Sequence, residues 1–105
     1  MIELTQERFE ELWNKKDSPA VLIWFTASWC GPCRRMDKEA LKVAADAAGL
    51  LFYVCDITVN DYTPGYCGIQ AFPTFMLIKP GEVLGRLTDS NTVSVCNWIK
   101  TIINF

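Results

Sequence analysis

Histidine is missing from this chain of 105 residues, and its absence excludes several kinds of catalytic and metal site. A cysteine protease pairs its nucleophile with a histidine base, so that mechanism is excluded. Attachment of c-type haem needs a Cys-x-x-Cys-His motif, whereas the residue after the second cysteine here is Arg34. Zinc sites that mix cysteine with histidine are also excluded. A four-cysteine zinc site stays open as an alternative, although the chain has no second short-spaced cysteine pair.

The chain also lacks a basic excess and a long apolar run. Its formal net charge is -2, so it has no basic stripe typical of nucleic-acid binding. No apolar run approaches the length that spans a bilayer. The first residues, MIELTQERFEEL, are acidic where a secretory signal has a basic start. We therefore expect one domain over residues 1–105, in a soluble, cytoplasmic monomer without nucleic-acid or membrane partners.

Five cysteines are present, and an odd count does not suit a closed disulfide framework. Only Cys30 and Cys33 have the Cys-x-x-Cys spacing. In a reducing compartment such a pair is more often catalytic or metal-binding than a structural cross-link. The pair is therefore the first candidate for a functional site, and we expect no metal in it.

The order of secondary structure indicates a three-layer α/β domain with a mixed sheet. Thr5 is a candidate cap for a helix over about residues 6–16, and MIEL before it is a candidate short strand. Helical spacing of apolar residues predicts one helix from Cys30 to Gly49 and another from Ser90 or Asn91 to Ile103. Buried strands are predicted at 20–27 and 50–57, and a hairpin at 74–79 and 82–88; residues 58–71 are irregular, with room for a short helix.

The predicted position of the cysteine pair suits thiol–disulfide exchange, which needs one attacking thiolate and one resolving thiol. Cys30 falls between a predicted strand and a predicted helix, where the helix dipole and free backbone N–H groups lower a thiol pKa. Cys33 falls about one turn later on the same side, shielded but within bonding reach. Gly31 lets a partner chain approach closely, and Pro32 suits the first turn of a helix.

Two segments resemble the thioredoxin family. FTASWCGPC (25–33) is similar to the active-site segment of thioredoxins. QAFPTFMLIKPGEVLGRL (70–87) is similar to the segment that thioredoxins carry about forty residues after their active site. The IELT start, the Asp56 of VCDI and the order of elements extend the resemblance over nearly the whole chain. The resemblance implies a thioredoxin fold, with a central mixed sheet of four or five strands flanked by helices on both faces.

The same resemblance implies the activity. Cys30 would be the nucleophile and Cys33 the resolving thiol of a protein-disulfide reductase that uses no bound cofactor. A separate disulfide reductase would recycle it, in a role in electron transport and cell redox homeostasis. Two alternatives stay open: a binding module that keeps the fold for its groove, and a disulfide oxidase or isomerase, which differs from a reductase only in reduction potential.

The resemblance also implies a peptide-binding groove beside the cysteines. Pro73 would follow a cis peptide bond and face the cysteines, and the backbone of Phe72 would pair with an extended substrate strand. Asp56 would accept a hydrogen bond from the exposed indole of Trp29. The groove would be lined by Trp29, Gly31, Pro32, Phe72, Pro73, Leu87 and Thr88.

This chain departs from the family at four positions. Trp24 stands where thioredoxins usually have a buried Asp, and Phe52 stands where its lysine neighbour commonly lies. The two changes are mutually consistent, and we predict that an ion-pairing pocket has become apolar core. Lys38 replaces a proline in the helix after the cysteines, and Thr88 replaces a loop glycine.

The remaining cysteines have simple interpretations. Cys55 lies in a predicted buried strand and Cys96 on the apolar face of the last helix, so both are predicted to be core residues. Cys67 lies in a loop that the resemblance places near the active site. It is a candidate regulatory or dimer-forming thiol. The alternative interpretation is a loop thiol that has no functional role. Trp13, Trp24 and Trp98 are predicted core residues.

Overall fold

The computed structural model describes residues 1–102, so Ile103, predicted on the apolar face of the last helix, lies outside the described residues. Strands and helices alternate through the first half of the chain, and a hairpin and a helix follow. The elements are β1 (Ile2–Glu3), α1 (Gln6–Asn14), β2 (Val21–Thr26), α2 (Gly31–Arg34), α3 (Lys38–Ala47), β3 (Leu51–Asp56), α4 (Tyr62–Cys67), β4 (Thr74–Lys79), β5 (Glu82–Thr88) and α5 (Thr92–Ile102).

A five-stranded sheet in the order β1-β3-β2-β4-β5 forms the centre of the fold. β3 runs parallel to both β1 and β2, whereas β4 runs antiparallel to β2 and to β5. The continuous apolar run of β2 places it at the middle of the sheet, where residues 21–25 are all buried. A strand with two buried faces needs this composition, and the predicted mixed sheet is confirmed.

Alternate residues of β2 divide the core into two layers. Leu22 and Trp24 pack with residues of α3 and α5 on what we call the α3–α5 face, which also holds Cys30 and Cys33. Ile23 and its neighbours at positions 21 and 25 pack with Phe9 and Leu12 of α1, and α4 lies against α1 on this α1–α4 face. Helices therefore cover both faces of the sheet, as a buried central strand requires.

Local sequence signals explain several element ends. The hydroxyl of Thr5 accepts a hydrogen bond from the backbone N–H of Arg8 at 3.1 Å, which confirms the predicted cap of α1. The helix ends at Asn14, two residues before the predicted end, because Lys15 adopts extended backbone. The hairpin of β4 and β5 has its predicted bounds, and Gly81 turns between them with φ of 71°.

The predicted single helix after Cys30 is wrong, because the chain forms two helices with a break at residues 35–37. Asp37 has extended backbone, and its side chain caps α3 by accepting from the N–H of Ala40 at 3.1 Å. The N–H of Asp37 donates to the hydroxyl of Thr92, also at 3.1 Å. The break therefore arises from a new cap and a tertiary hydrogen bond, without a proline at Lys38.

Burial corrects two further predictions. Leu51 begins β3 but is 41% exposed, and Val54 is half-buried, so the predicted buried strand is not buried along its whole length. Trp24 is fully buried as predicted, whereas Trp13 and Trp98 are half-buried and pack at the margins of the two core layers.

Candidate active site

The cysteine pair lies where the chain leaves β2 and enters α2. Cys30 is the N-cap of α2, with extended backbone, and its own N–H donates to the carbonyl of Ala27 at 3.0 Å. Pro32 lies in the first turn of the helix, where its lack of an N–H leaves no helical hydrogen bond unmade. Cys30 and Cys33 are joined by a disulfide with a Cα–Cα separation of 5.3 Å, which confirms the predicted proximity.

The two sulfur atoms of the pair have different surroundings. The sulfur of Cys30 accepts a hydrogen bond from the backbone N–H of Cys33 at 3.3 Å. Both cysteines belong to the core layer of the α3–α5 face; Cys30, at the helix start, is 4% exposed, and Cys33 is 1% exposed. A thiolate on Cys30 would keep this backbone donor, which stabilises negative charge on that sulfur.

The groove residues predicted beside the cysteines come partly together. Trp29 is 67% exposed, and its ring makes a T-shaped contact with the ring of Phe72, with ring centroids 5.8 Å apart. The Phe72–Pro73 peptide bond is cis, as the sequence resemblance implied, and Pro73 is buried. Gly31 is half-buried, and an added Cβ there would lie 3.3 Å from the guanidinium of Arg35.

The end of β5 is tied to the strand that follows Pro73. Thr88 pairs with Thr74 across the hairpin, and their hydroxyl groups are 2.7 Å apart. The hydroxyl of Thr74 also donates to the carbonyl of Ala71 at 2.7 Å. Leu87 is half-buried against the α3–α5 core, and Pro32 is exposed.

The predicted hydrogen bond from the Trp29 indole to Asp56 is wrong for this structure. Asp56 ends β3, and its carboxylate oxygen accepts instead from the backbone N–H of Thr58 at 2.9 Å and from its hydroxyl at 2.6 Å. Asp56 therefore closes a turn at the end of its strand, which the local Asp-x-Thr pattern could have indicated. It still lies near the site, because it lines a cavity together with Cys33.

This cavity has a volume of about 360 Å³, and Trp24 and Cys33 both line it. The indole of Trp24 stacks between Phe52 and Phe75, with ring centroids 6.3 Å and 5.6 Å away. The predicted apolar packing of Trp24 with Phe52 is thus confirmed. The sequence did not reveal that the buried Nε1–H of Trp24 has no acceptor among the described residues.

The other three thiols are free, and burial makes them poor nucleophiles. Burial raises the pKa of Cys55 to about 12, and its thiol donates to the carbonyl of Asn60 at 3.6 Å. Burial also raises the pKa of Cys67 to about 11, against the opposing effect of the nearby Arg86 guanidinium. Cys96 is half-buried, and burial raises its pKa too.

The described residues contain neither a metal-binding cluster nor a membrane-spanning helix. Within residues 1–102, no group of three or more cysteine or acidic side chains converges where a metal ion could be held. None of the helices in this part of the chain combines the length and the apolar composition needed to cross a membrane.

Comparison with known proteins matches the whole described chain to one family. The family model described as Thioredoxin matches residues 1–101. A thioredoxin of Geodia cydonium is 38% identical over 80 residues, which cover 76% of each chain. The oxidised mitochondrial thioredoxin 3 of Saccharomyces cerevisiae superposes with a TM-score of 0.80 at 30% identity and covers 96% of this chain and 94% of that one. A chain at 29% identity, with the same TM-score and coverage, comes from a structure on thiol resolution in yeast mitochondrial 1-Cys peroxiredoxin through the glutathione and thioredoxin systems.

Proposed function

The chain belongs to the thioredoxin family and is a dithiol–disulfide oxidoreductase of the disulfide-reductase type, and from this premise we propose that Cys30 is its nucleophile and Cys33 its resolving thiol. The observation that carries the assignment is the asymmetry of the pair. Cys30 caps α2 and its sulfur accepts the Cys33 N–H, and of the two buried cysteines it is the slightly more exposed. The sulfur with the backbone donor is the better-stabilised thiolate.

The first step of the proposed reaction is attack on the substrate. The Cys30 thiolate attacks one sulfur of a protein disulfide, a new bond joins Cys30 to that sulfur, and the other substrate sulfur leaves as a thiolate that takes a proton. The helix start holds Cys30 while this mixed disulfide exists. The hydrogen bond from Cys33 N–H favours the charged form of Cys30 before attack.

The second step resolves the mixed disulfide. Cys33 loses its proton and attacks the sulfur of Cys30, the bond from Cys30 to the substrate breaks, and the substrate leaves as its second thiolate. The product on this chain is the Cys30–Cys33 disulfide, the state that the structure describes. A partner disulfide reductase then returns two electrons and two protons to the pair.

The proposed substrate site is the surface around Trp29 and Phe72. An extended segment of the substrate lies along the cis-peptide loop, where the backbone of Phe72 precedes β4 and is available for pairing. Trp29 offers an exposed apolar contact at one side, and Gly31 presents no side chain to an approaching substrate backbone. The remaining members of the proposed surface are Pro32, Pro73, Leu87 and Thr88.

Protein disulfides are the proposed substrates, and a peroxiredoxin is the first to test. The related yeast chain noted above comes from a study of peroxiredoxin thiol resolution, which supports this choice. We propose a monomer with a single domain over residues 1–105. A cytoplasmic location stays a prediction, since a relative of this chain is mitochondrial.

Trapping of mixed disulfides tests the two thiol roles. Cys33→Ser should accumulate a mixed disulfide with a protein disulfide substrate through Cys30, whereas Cys30→Ser should accumulate almost none. Cys96→Ser is the matched control, because it removes a half-buried thiol of α5 outside the pair and should turn over like the parent. Equal trapping by Cys30→Ser and Cys33→Ser would contradict the assignment.

The direction of the reaction is tested by the reduction potential of the pair. A reductase requires a potential at the reducing end of the range for such proteins, near that of thioredoxin at about -270 mV. A value near -120 mV, typical of strong oxidants, would favour the oxidase alternative. The potential follows from equilibration with glutathione buffers and quantification of the oxidised fraction.

A further inference from the structure

The guanidinium of Arg35 lies over Gly31, the residue that directly follows Cys30. Arg35 is the C-cap of α2, and its side chain reaches back by one helical turn, so a Cβ added to Gly31 would lie 3.3 Å from its Nη1 atom. The missing side chain of Gly31 leaves the space that the guanidinium occupies. A cation is therefore held beside the nucleophile, at the point where the proposed substrate chain approaches.

This guanidinium has no carboxylate partner in the described part of the chain. The ion pairs there join Glu11 to Arg8 and to Lys15, and no side-chain hydrogen bond within residues 1–102 involves Arg35. Arg35 is exposed. A guanidinium presents five N–H donors in a planar fork that matches the two oxygens of a carboxylate. A carboxylate from a binding partner would therefore satisfy donors that the protein itself leaves to solvent.

The acidic residues that follow Arg35 in the chain face a different surface. Asp37 and Glu39 both line a groove between α3 and α5, which neither Gly31 nor Arg35 lines. The carboxylate of Asp37 is also engaged at the start of α3, where it accepts the N–H of Ala40 at 3.1 Å. These two acids therefore do not neutralise the guanidinium over Gly31.

The other carboxylates near the cysteine pair share their surface with other cations. Glu3 and Asp56 line the cavity of about 360 Å³ described above, and Arg34 and Lys38 line the same cavity. Arg35 does not line it. The guanidinium of Arg35 is therefore the cation at this site whose charge is left for a partner.

We propose that Arg35 is a specificity-determining residue that binds a carboxylate of the substrate, from an Asp or Glu close to the cysteine that Cys30 attacks. The proposal rests on the substrate surface proposed above, in which the substrate chain passes Gly31. In the mixed disulfide the substrate cysteine is bonded to Cys30, and an extended chain advances about 3.3 Å per residue. A side chain one or two positions from that cysteine is therefore within reach of the guanidinium.

The local charge of the segment around Arg35 adds to this contact. Residues 31–42 carry four basic and two acidic side chains, whereas the whole chain has a formal net charge of -2. An acidic substrate is therefore repelled by the protein as a whole but attracted at this surface, which orients it as it approaches. The preferred partner is a protein whose disulfide lies among acidic residues.

Three peptide disulfides that differ in one side chain test this preference. They share the same disulfide loop and carry Glu, Gln or Lys beside both cysteines. The parent protein should reduce the Glu peptide about fivefold more efficiently than the Lys peptide, measured as kcat/KM, with the Gln peptide between them. The preference should shrink at high salt, because an exposed charge contact is screened. Equal efficiencies for the three peptides would overturn the proposal.

Charge reversal separates a local contact from the net charge of the protein. Arg35→Glu should reverse the order of the Glu and Lys peptides, and Arg35→Met should bring their ratio to within about twofold. Arg35→Lys should keep the order with a smaller ratio, because lysine retains the charge but lacks the planar fork. Lys79→Glu is the matched control, since it makes the same change of charge at the end of β4 that is remote from Pro73, and it should leave the order unchanged.

Each variant is judged by the ratio between peptides, so a change in stability or in the reactivity of Cys30 cancels. A parent-like ratio in Arg35→Glu would contradict the role of Arg35, and so would an equal shift of the ratio in Lys79→Glu. Reduction of the Gln peptide by the parent tests the proposed reductase activity separately, because that reaction needs the cysteine pair but no substrate carboxylate.

Discussion

The two faces of the sheet satisfy their buried polar groups in different ways. Beside the α1–α4 face, the amide of Asn60 donates to the carbonyl of Leu4 at 3.2 Å and to the hydroxyl of Thr63 at 2.8 Å, and it accepts from the Thr63 N–H at 3.2 Å. On the α3–α5 face, the buried Trp24 N–H finds no acceptor within the described residues. Paired buried groups secure the face that supports the fold, and the unpaired donor lies on the face that carries the chemistry.

The cysteines show the same contrast. Cys55 and Cys67 belong to the α1–α4 core, where burial raises the pKa values to about 12 and about 11 and keeps both thiols protonated. Cys30, on the other face, caps a helix and accepts a backbone N–H. The same side chain is therefore a small core residue in one layer and a proposed nucleophile in the other.

The largest expected effect comes from placing a carboxylate on the α3–α5 face. Trp24→Asp should lower the free energy of unfolding by about 4 kcal/mol or more, because it loses aromatic packing and buries an unpaired acid between Phe52 and Phe75. Urea unfolding at pH 7 measures the loss. A loss below about 1 kcal/mol would mean that the cavity hydrates a carboxylate freely, and the difference between the two faces would then be smaller than we infer.

The next largest stability losses are expected from removing a paired buried polar group and an unpaired one. Asn60→Ala should cost about 2–3 kcal/mol, because it leaves the Leu4 carbonyl and Thr63 without partners. Trp24→Phe should cost less, about 1 kcal/mol, because the N–H that it removes has no partner among protein atoms. The same urea experiment ranks the two variants. The reverse order would show that the Trp24 N–H contributes more to stability than the Asn60 network.

These particular residues also show which features the sequence could predict. The hairpin bounds were correct because Pro80 and Gly81 set the turn locally, with positive φ at the glycine. The position of Cys30 at a helix start was correct because an apolar strand and a Gly-Pro pair flank it. Both features depend on neighbours within a few residues along the chain.

Two of the three missed features depend wholly or partly on distant partners. The break before α3 is only partly local: Asp37 caps α3 by accepting from Ala40, but its N–H also donates to Thr92, 55 residues later, and no local pattern could reveal that bond. The unpaired N–H of Trp24 depends on every side chain around the ring, and its apolar sequence context indicated only burial. The turn made by Asp56 was local and could have been predicted from Thr58.

A smaller effect should appear as alkaline destabilisation from the α1–α4 thiols. The native core raises the pKa of Cys55 from 9.0 to about 12, so above pH 9 the unfolded chain loses this proton before the native protein does. The unfolded state then binds fewer protons, and the free energy of unfolding falls as pH rises from about 9 to about 12. The slope is at most about 1.4 kcal/mol per pH unit for one thiol.

The variant Cys55→Val separates this thiol from other alkaline titrations. It removes the ionisation from a buried apolar site and should flatten the stability profile above pH 9, whereas Cys96→Ser on the other face should change the slope less, since Cys96 is only half-buried. Urea unfolding at a series of pH values from 7 to 10.5 measures the slopes. Equal slopes for the parent and Cys55→Val would contradict the contribution of Cys55.

The smallest stability loss is expected from removing one helix cap on each face of the sheet. Thr5→Ala removes the hydroxyl that accepts the Arg8 N–H at the start of α1, and Asp37→Ala removes the carboxylate that accepts the Ala40 N–H at the start of α3. Each change should cost about 1 kcal/mol, the usual value for an N-cap. Only Asp37→Ala should also slow disulfide reduction, by about twofold to threefold, because α3 begins beside the cavity wall at Lys38 and directly follows the α2 segment that holds Cys33. Unfolding curves and a turnover assay on the same two proteins make the comparison. A rate loss in Thr5→Ala as large as that in Asp37→Ala would show that the two faces are coupled in function, and that the α1–α4 face contributes to the chemistry as well as to the fold.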